Sequence, residues 1–165
     1  MAELRIKDAA GSLQAGGNRP IPYKWIALSV TTIGALMAAI DGTIVILALP
    51  EMMVKLHANL IEMIWVIMAY ILVSTVFLLT FGRVADMLGR VRMYNLGFVI
   101  FTIGSLLCGL SHSAMQLIVF RLVQGAGAAM MLVNSMAILP EAFPPNERGR
   151  ALGINSITWS FGGVF

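Results

Sequence analysis

Gly82-Arg83-Val84-Ala85-Asp86-Met87-Leu88-Gly89-Arg90-Val91-Arg92 is a short polar island between two long apolar runs. It holds three arginines, one aspartate and two glycines in eleven residues. Around it the chain is 59% hydrophobic and only 12% charged, and its mean hydropathy is +0.88. Soluble domains carry about 25% charged residues. Half that charge, spread between long apolar runs, defines an all-α polytopic membrane protein. Basic residues between two spans mark a cytoplasmic connection. Two spans joined so closely are antiparallel neighbours, so fixing this stretch inside fixes the orientation of the rest.

Working outward, the sequence predicts five spans, at about 25–49, 60–81, 93–110, 115–139 and 146–165. Residues 1–24 read as a cytoplasmic tail, closed by Tyr23, Lys24 and Trp25 as an anchor at the membrane surface. The first span stops at Pro50, with Asp41 as its single charge. Asn59 with Glu62 three residues on has the pattern of a capping box opening the second span. Gly82–Arg92 is then a turn, Ser111-His112-Ser113 an outer turn, and 140–145 an inner connection, with Asn146 as cap of the fifth helix. The lysines and arginines support this topology. Arg5, Lys7, Arg19, Lys24, Arg83, Arg90, Arg92, Arg148 and Arg150 lie inside, Lys55 alone lies outside, and Arg121 within a span completes the eleven. From Ala151 to Phe165 is about 22 Å of helix, against about 30 Å of hydrocarbon, so the fifth span reads as incomplete and the chain as part of a longer protein.

Several function classes have no support. The basic residues are not interleaved with exposed aromatics, so nucleic acid is not a partner. Cys108 is the only cysteine, and His57 and His112 have no metal-ligand spacing around them. No catalytic constellation and no phosphate-cradling loop is present, so neither an enzyme nor a cofactor or metal protein is expected. The polar residues inside spans are the remaining candidates, because a charge there is costly and usually functional or paired. These are Asp41 in the first span and Arg121 and Gln124 in the fourth. Arg121, Gln124, Gly125 and Ala128 share one helical face by spacing, and Gly125 and Ala129 allow another helix close. The alternatives are an arginine snorkelling to the surface and a carboxylate that only ties helices together. Asp41 lies eight residues from Leu49, about 12 Å. Arg121 lies six residues from Met115, about 9 Å. The two are therefore expected at one depth, facing each other directly or through Gln124.

The polar island resembles the signature loop between helices 2 and 3 of the major facilitator superfamily of secondary transporters, in Gly82, Asp86, Gly89, Arg90 and Arg92. Asp41-Gly42-Thr43, continuing to Ala48-Leu49-Pro50, is similar to the first helix of the fourteen-helix drug:proton antiporters in that superfamily. Arg121-x-x-Gln124-Gly125 resembles the helix 4 motif associated with proton coupling. Gly153 and Gly162 fit part of the antiporter pattern of helix 5, where they would be packing glycines beside Gly125. Trp65, Tyr70 and Leu72 resemble the helix 2 pattern, with an interface aromatic and a packed tyrosine as the alternative.

The resemblance covers about residues 25–165. It implies most of an N-terminal six-helix bundle in the plasma membrane, paired with a missing C-terminal half around a midplane cavity. It also implies a conformational switch at the signature loop, with protons and a small molecule as the transported species. Efflux by antiport is the leading expectation. Uptake by symport on the same fold, a non-transporting membrane scaffold and a small dimerising carrier are the alternatives.

Overall fold

The structure is a computed structural model that describes residues 23–162. The expected tail up to residue 22 and the last three residues lie outside the described residues. Five helices follow one another: α1 Tyr23–Lys55, α2 Leu60–Leu88, α3 Arg90–Gly109, α4 Ala114–Ala142 and α5 Arg148–Gly162. Among the described residues, α1 to α4 are each long and apolar enough to cross a membrane. Among the described residues the chain is all-helical and multi-pass, as its composition required.

Helix ends are set by local chemistry. The Asn59 side chain accepts from the Glu62 N–H and Glu62 Oε2 accepts from the Asn59 N–H, both at 2.9 Å, which closes the capping box. At the start of α4, Ser113 Oγ accepts from the Gln116 N–H at 3.3 Å. Tyr23 and Lys24 already belong to α1 rather than to a tail. Asn146 does not cap α5, which begins two residues later, at Arg148, with the Ala151 N–H bonding back to the Glu147 carbonyl.

Three expected boundaries are corrected by the same physics. The polar island is not a loop: Gly82–Leu88 are the last turns of α2, and Arg90 to Arg92 are the first turn of α3. Its arginines, alanine, leucine and methionine favour helix, and no proline interrupts them. The chain turns on Gly89 alone, whose φ of 96° belongs to the region that glycine enters freely. Pro50 and Pro140 do not end their helices, which run on to Lys55 and Ala142. Each proline removes one backbone N–H within two turns of a helix end, a local loss the remaining ladder absorbs.

Packing is centred on α4. Its buried residues run the length of the helix, from Leu117 through Gln124, Ala129 and Asn134 to Leu139. By contrast α2 turns large apolar side chains such as Ile61, Trp65, Val76 and Leu79 outward. That inversion suits a lipid solvent, in which apolar exposure carries no penalty and close backbone packing holds helices together. The tightest seam joins α3 to α4. A Cβ added to Gly127 would stand 2.5 Å from the Phe101 backbone nitrogen, and one added to Gly97 would stand 2.9 Å from the Gly127 carbonyl oxygen. α1 is tied across the bundle by the Tyr94 hydroxyl, which donates to the Val30 carbonyl at 2.9 Å.

A methyl group at this seam should force the helices apart. Gly127→Ala is expected to lower unfolding free energy by about 1–3 kcal/mol. Gly149, with nothing within 4 Å of an added Cβ, should accept alanine without loss. Thermal unfolding in detergent checks both, and equal stability of the two variants would contradict the packing described.

Candidate functional site

Asp41 sits midway along α1, on a face that also carries Gly34 and Ala38. These small residues let α1 approach its neighbours closely enough for a short carboxylate to reach α4. Arg121 and Gln124, three apart on α4, meet it there. Arg121 Nη1 donates to Asp41 Oδ2 at 2.7 Å and to Gln124 Oε1 at 2.7 Å. Gln124 Nε2 donates to Asp41 Oδ1 at 2.8 Å. Both carboxylate oxygens are thereby occupied, and the Gln124 amide is oriented with its oxygen on the cation and its nitrogen on the anion. The Cys108 thiol of α3 also donates to Gln124 Oε1, at 3.6 Å.

The site is dry. The Arg121 side chain is 3% exposed and that of Asp41 13%, and Gln124 is fully buried. Arg121 is directed into the bundle, so the snorkelling alternative does not hold. Arg121 Nε is buried with no hydrogen-bond partner among the described residues. The face of the guanidinium lies 4.8 Å above the centre of the Tyr70 ring of α2, a cation–π contact. Gly125 makes that contact possible: a Cβ there would stand 2.8 Å from the Tyr70 carbonyl oxygen. The backbone of α2 rests on Gly125 while its ring reaches back one turn to Arg121.

A cavity of about 480 Å³ opens beside this cluster between α1, α2, α3 and α4. Its wall is mostly apolar, with hydroxyls from Thr31, Tyr70, Ser74 and Ser135.

The residues of the polar island gather at the far end of the bundle. Arg90 Nη2 and Nε both donate to Asp86 Oδ1, at 3.0 and 3.1 Å. Arg90 also pairs with Glu141 at the end of α4, a partner not anticipated from sequence. Arg92 is exposed and stands outside these ion pairs. Gly82 makes ordinary contact with Val133, and Gly89 supplies the turn. At the same end Lys24 pairs with Glu147 at 2.7 Å and lies over the rings of Trp25 and Phe143.

The expected packing glycines divide. Gly125 packs tightly, whereas Gly153 has nothing within 4 Å of an added Cβ. Among the described side chains of α5, Ala151 and Asn155 are buried. Gly153 falls midway between them and so on the opposite face of the helix. Gly162 is the last helical residue described, and its surroundings lie outside the described residues. The seam glycines Gly97, Gly104 and Gly127 were missed, although Gly97 and Gly104 stand seven positions apart, a helical-face spacing visible in the sequence.

The buried carboxylate–guanidinium pair thus links the first and fourth spans beside a cavity. Residues 31–165 match the Major Facilitator Superfamily, to which the chain belongs. It is 40% identical over 141 residues to the riboflavin transporter RibZ of Clostridioides difficile, covering 86% of this chain and 31% of that protein. It is 35% identical to the tetracenomycin C resistance and export protein of Streptomyces glaucescens, covering 85% of this chain and 26% of that protein. Against multidrug resistance protein 3 of Bacillus subtilis the identity is 34%, over 86% of this chain and 26% of that protein. The chain thus spans about a third or less of the length of these relatives.

The two ion-pair clusters should differ in energetic weight. Removing one partner of a buried pair strands the other, at about 3–5 kcal/mol, whereas exposed pairs contribute at most about 1 kcal/mol. Arg121→Ala should therefore destabilise the folded protein far more than Glu141→Gln, as read by denaturant unfolding in detergent. The reverse order would contradict the site described.

Proposed function

We propose that this chain forms most of the N-terminal bundle of a proton-coupled secondary transporter that exports small molecules by antiport. The remainder of the transporter supplies the C-terminal bundle that completes the cavity. The single observation that supports this most is the buried Asp41–Arg121–Gln124 cluster. While Asp41 is ionised, its two oxygens hold Arg121 and Gln124 and so fasten α1 to α4. A proton on Asp41 removes the charge and one acceptor site, which loosens that fastening. The equilibrium between two arrangements of the bundle then depends on the proton, and a molecule in the adjoining cavity competes through the same helices. The relatives named for resistance and export favour efflux. Uptake by symport on the same fold is the second reading, and the name of the riboflavin transporter specifies no direction of transport.

In this reading the protein lies in the plasma membrane with its N-terminus in the cytoplasm. The nine basic residues assigned inside, against Lys55 outside, support that orientation. The end of the bundle bearing Asp86, Arg90 and Glu141 then faces the cytoplasm and serves as the conformational switch, with Gly82, Gly89 and Arg92 shaping it. Single cysteines at Ser12 and His112 in a Cys108→Ser background test the topology. An impermeant thiol reagent outside intact cells should label the His112→Cys protein alone, and labelling of Ser12→Cys would contradict it.

The mechanism is tested in the full-length transporter, in vesicles carrying an imposed pH gradient, with ethidium and riboflavin as probes. Asp41→Asn should abolish gradient-driven movement of the probe. Arg121→Ala should alter the pH dependence of transport, because it removes the cation paired with Asp41. Gradient-driven transport by Asp41→Asn at the unsubstituted rate would overturn the proposal. The direction of probe movement relative to the gradient separates antiport from symport.

A further inference from the structure

The cavity and the charged cluster are neighbours that do not share their side chains. Asp41, Arg121 and Gln124 do not line the cavity, although Gly42 and Thr43, next to Asp41 in sequence, do. A molecule in the cavity therefore touches none of the three in this arrangement. Tyr70 belongs to both. It forms part of the cavity wall, and its ring lies 4.8 Å from the Arg121 guanidinium.

We propose that Tyr70 is the positioning residue through which occupancy of the cavity reaches the Asp41–Arg121 pair. One side of its ring presents a negative π-face to the guanidinium, holding Arg121 where Asp41 and Gln124 receive it. A bound molecule that stacks on the ring from the cavity side presses that face onto the guanidinium. Arg121 is then held more tightly on Asp41, and a proton carried by Asp41 is released. The fixed point of the lever is Gly125, which holds the α2 backbone at Tyr70 against α4. The ligand that works this lever is a largely apolar molecule able to stack on a ring and to bond hydroxyls. The ionisable groups facing Asp41 are Arg121 from α4, Tyr70 from α2 and Cys108 from α3. The charges of α5, Arg148 and Arg150, lie at its first turn, at the level of Lys24 and Glu147.

This inference rests on the proton-coupled reading above, and the test separates the two. The full-length transporter is purified and reconstituted with Tyr70 replaced by Trp, Phe or Leu, and ethidium is the probe. Two quantities are read: the pH profile of transport and the protons released when ethidium binds. Tryptophan gives the strongest cation–π face, phenylalanine keeps that of tyrosine, and leucine removes it. The pH profile should therefore be displaced in opposite directions by Trp and by Leu, with Phe left beside Tyr. Ethidium-induced proton release should fall by about threefold or more in Tyr70→Leu and be preserved in Tyr70→Phe. Should Tyr70→Leu fail to fold, the opposite displacement of Tyr70→Trp relative to Tyr70→Phe still decides. A flat series, or Phe displaced as far as Leu, overturns the role of the ring. If Asp41→Asn remains proton-coupled, the functional reading fails first. If Asp41→Asn is uncoupled while the Tyr70 series is flat, the role of Tyr70 alone fails.

Discussion

A carboxylate held away from water must be matched by a cation and by hydrogen-bond donors, and that requirement governs this bundle. Asp41 has both: Arg121 on one oxygen and Gln124 on the other. Neither partner is close in sequence, so the match exists only when α1 and α4 lie in register. The other features of the centre serve that register. Small residues on α1 bring it near, Tyr94 ties it to α3, and the Gly97–Gly127 seam fixes the depth of α4 against α3.

In the function proposed, the same cluster lets the fold occupy two states. Dispersion and close packing between helices change little with pH, whereas the bond between α1 and α4 depends on the charge of one group. In that proposal α1 and α4 pivot when their bond weakens. The ion pairs at the Gly89 end are of another kind. Asp86, Arg90 and Glu141 are substantially exposed, so they orient a surface more than they stabilise an interior. Lys24 and Glu147 do the same for the start of α5.

Much of this was legible in the sequence because lipid is a demanding solvent. It tolerates few charges, so Asp41 and Arg121 stood out, and helix rise alone placed them at one depth. The 3.6-residue period put Gln124 beside Arg121. The capping box at Asn59 was readable because its two side-chain bonds are local. What the sequence concealed was tertiary or cooperative. Gly82–Arg92 looked like a loop because it is polar, but charge does not break a helix and only Gly89 does. Pro50 and Pro140 looked like stops, yet a proline within two turns of a helix end costs a single bond. The contact between Tyr70 and Arg121 depends on the rotation of α2 about its axis, which Gly125 sets. Gly153 had the spacing of a packing residue but falls on the face of α5 away from its buried side chains.

The account stands on Asp41 being the group whose protonation changes the α1–α4 contact. Difference infrared spectroscopy of the reconstituted full-length protein reads this directly, through the C=O stretch that only a protonated carboxyl shows. The account predicts a carboxyl band that appears as pH falls, is absent from Asp41→Asn, and grows in with accompanying changes in the guanidinium bands of Arg121. A carboxyl band unchanged by Asp41→Asn, or an Asp41 band with no response from Arg121, would contradict it.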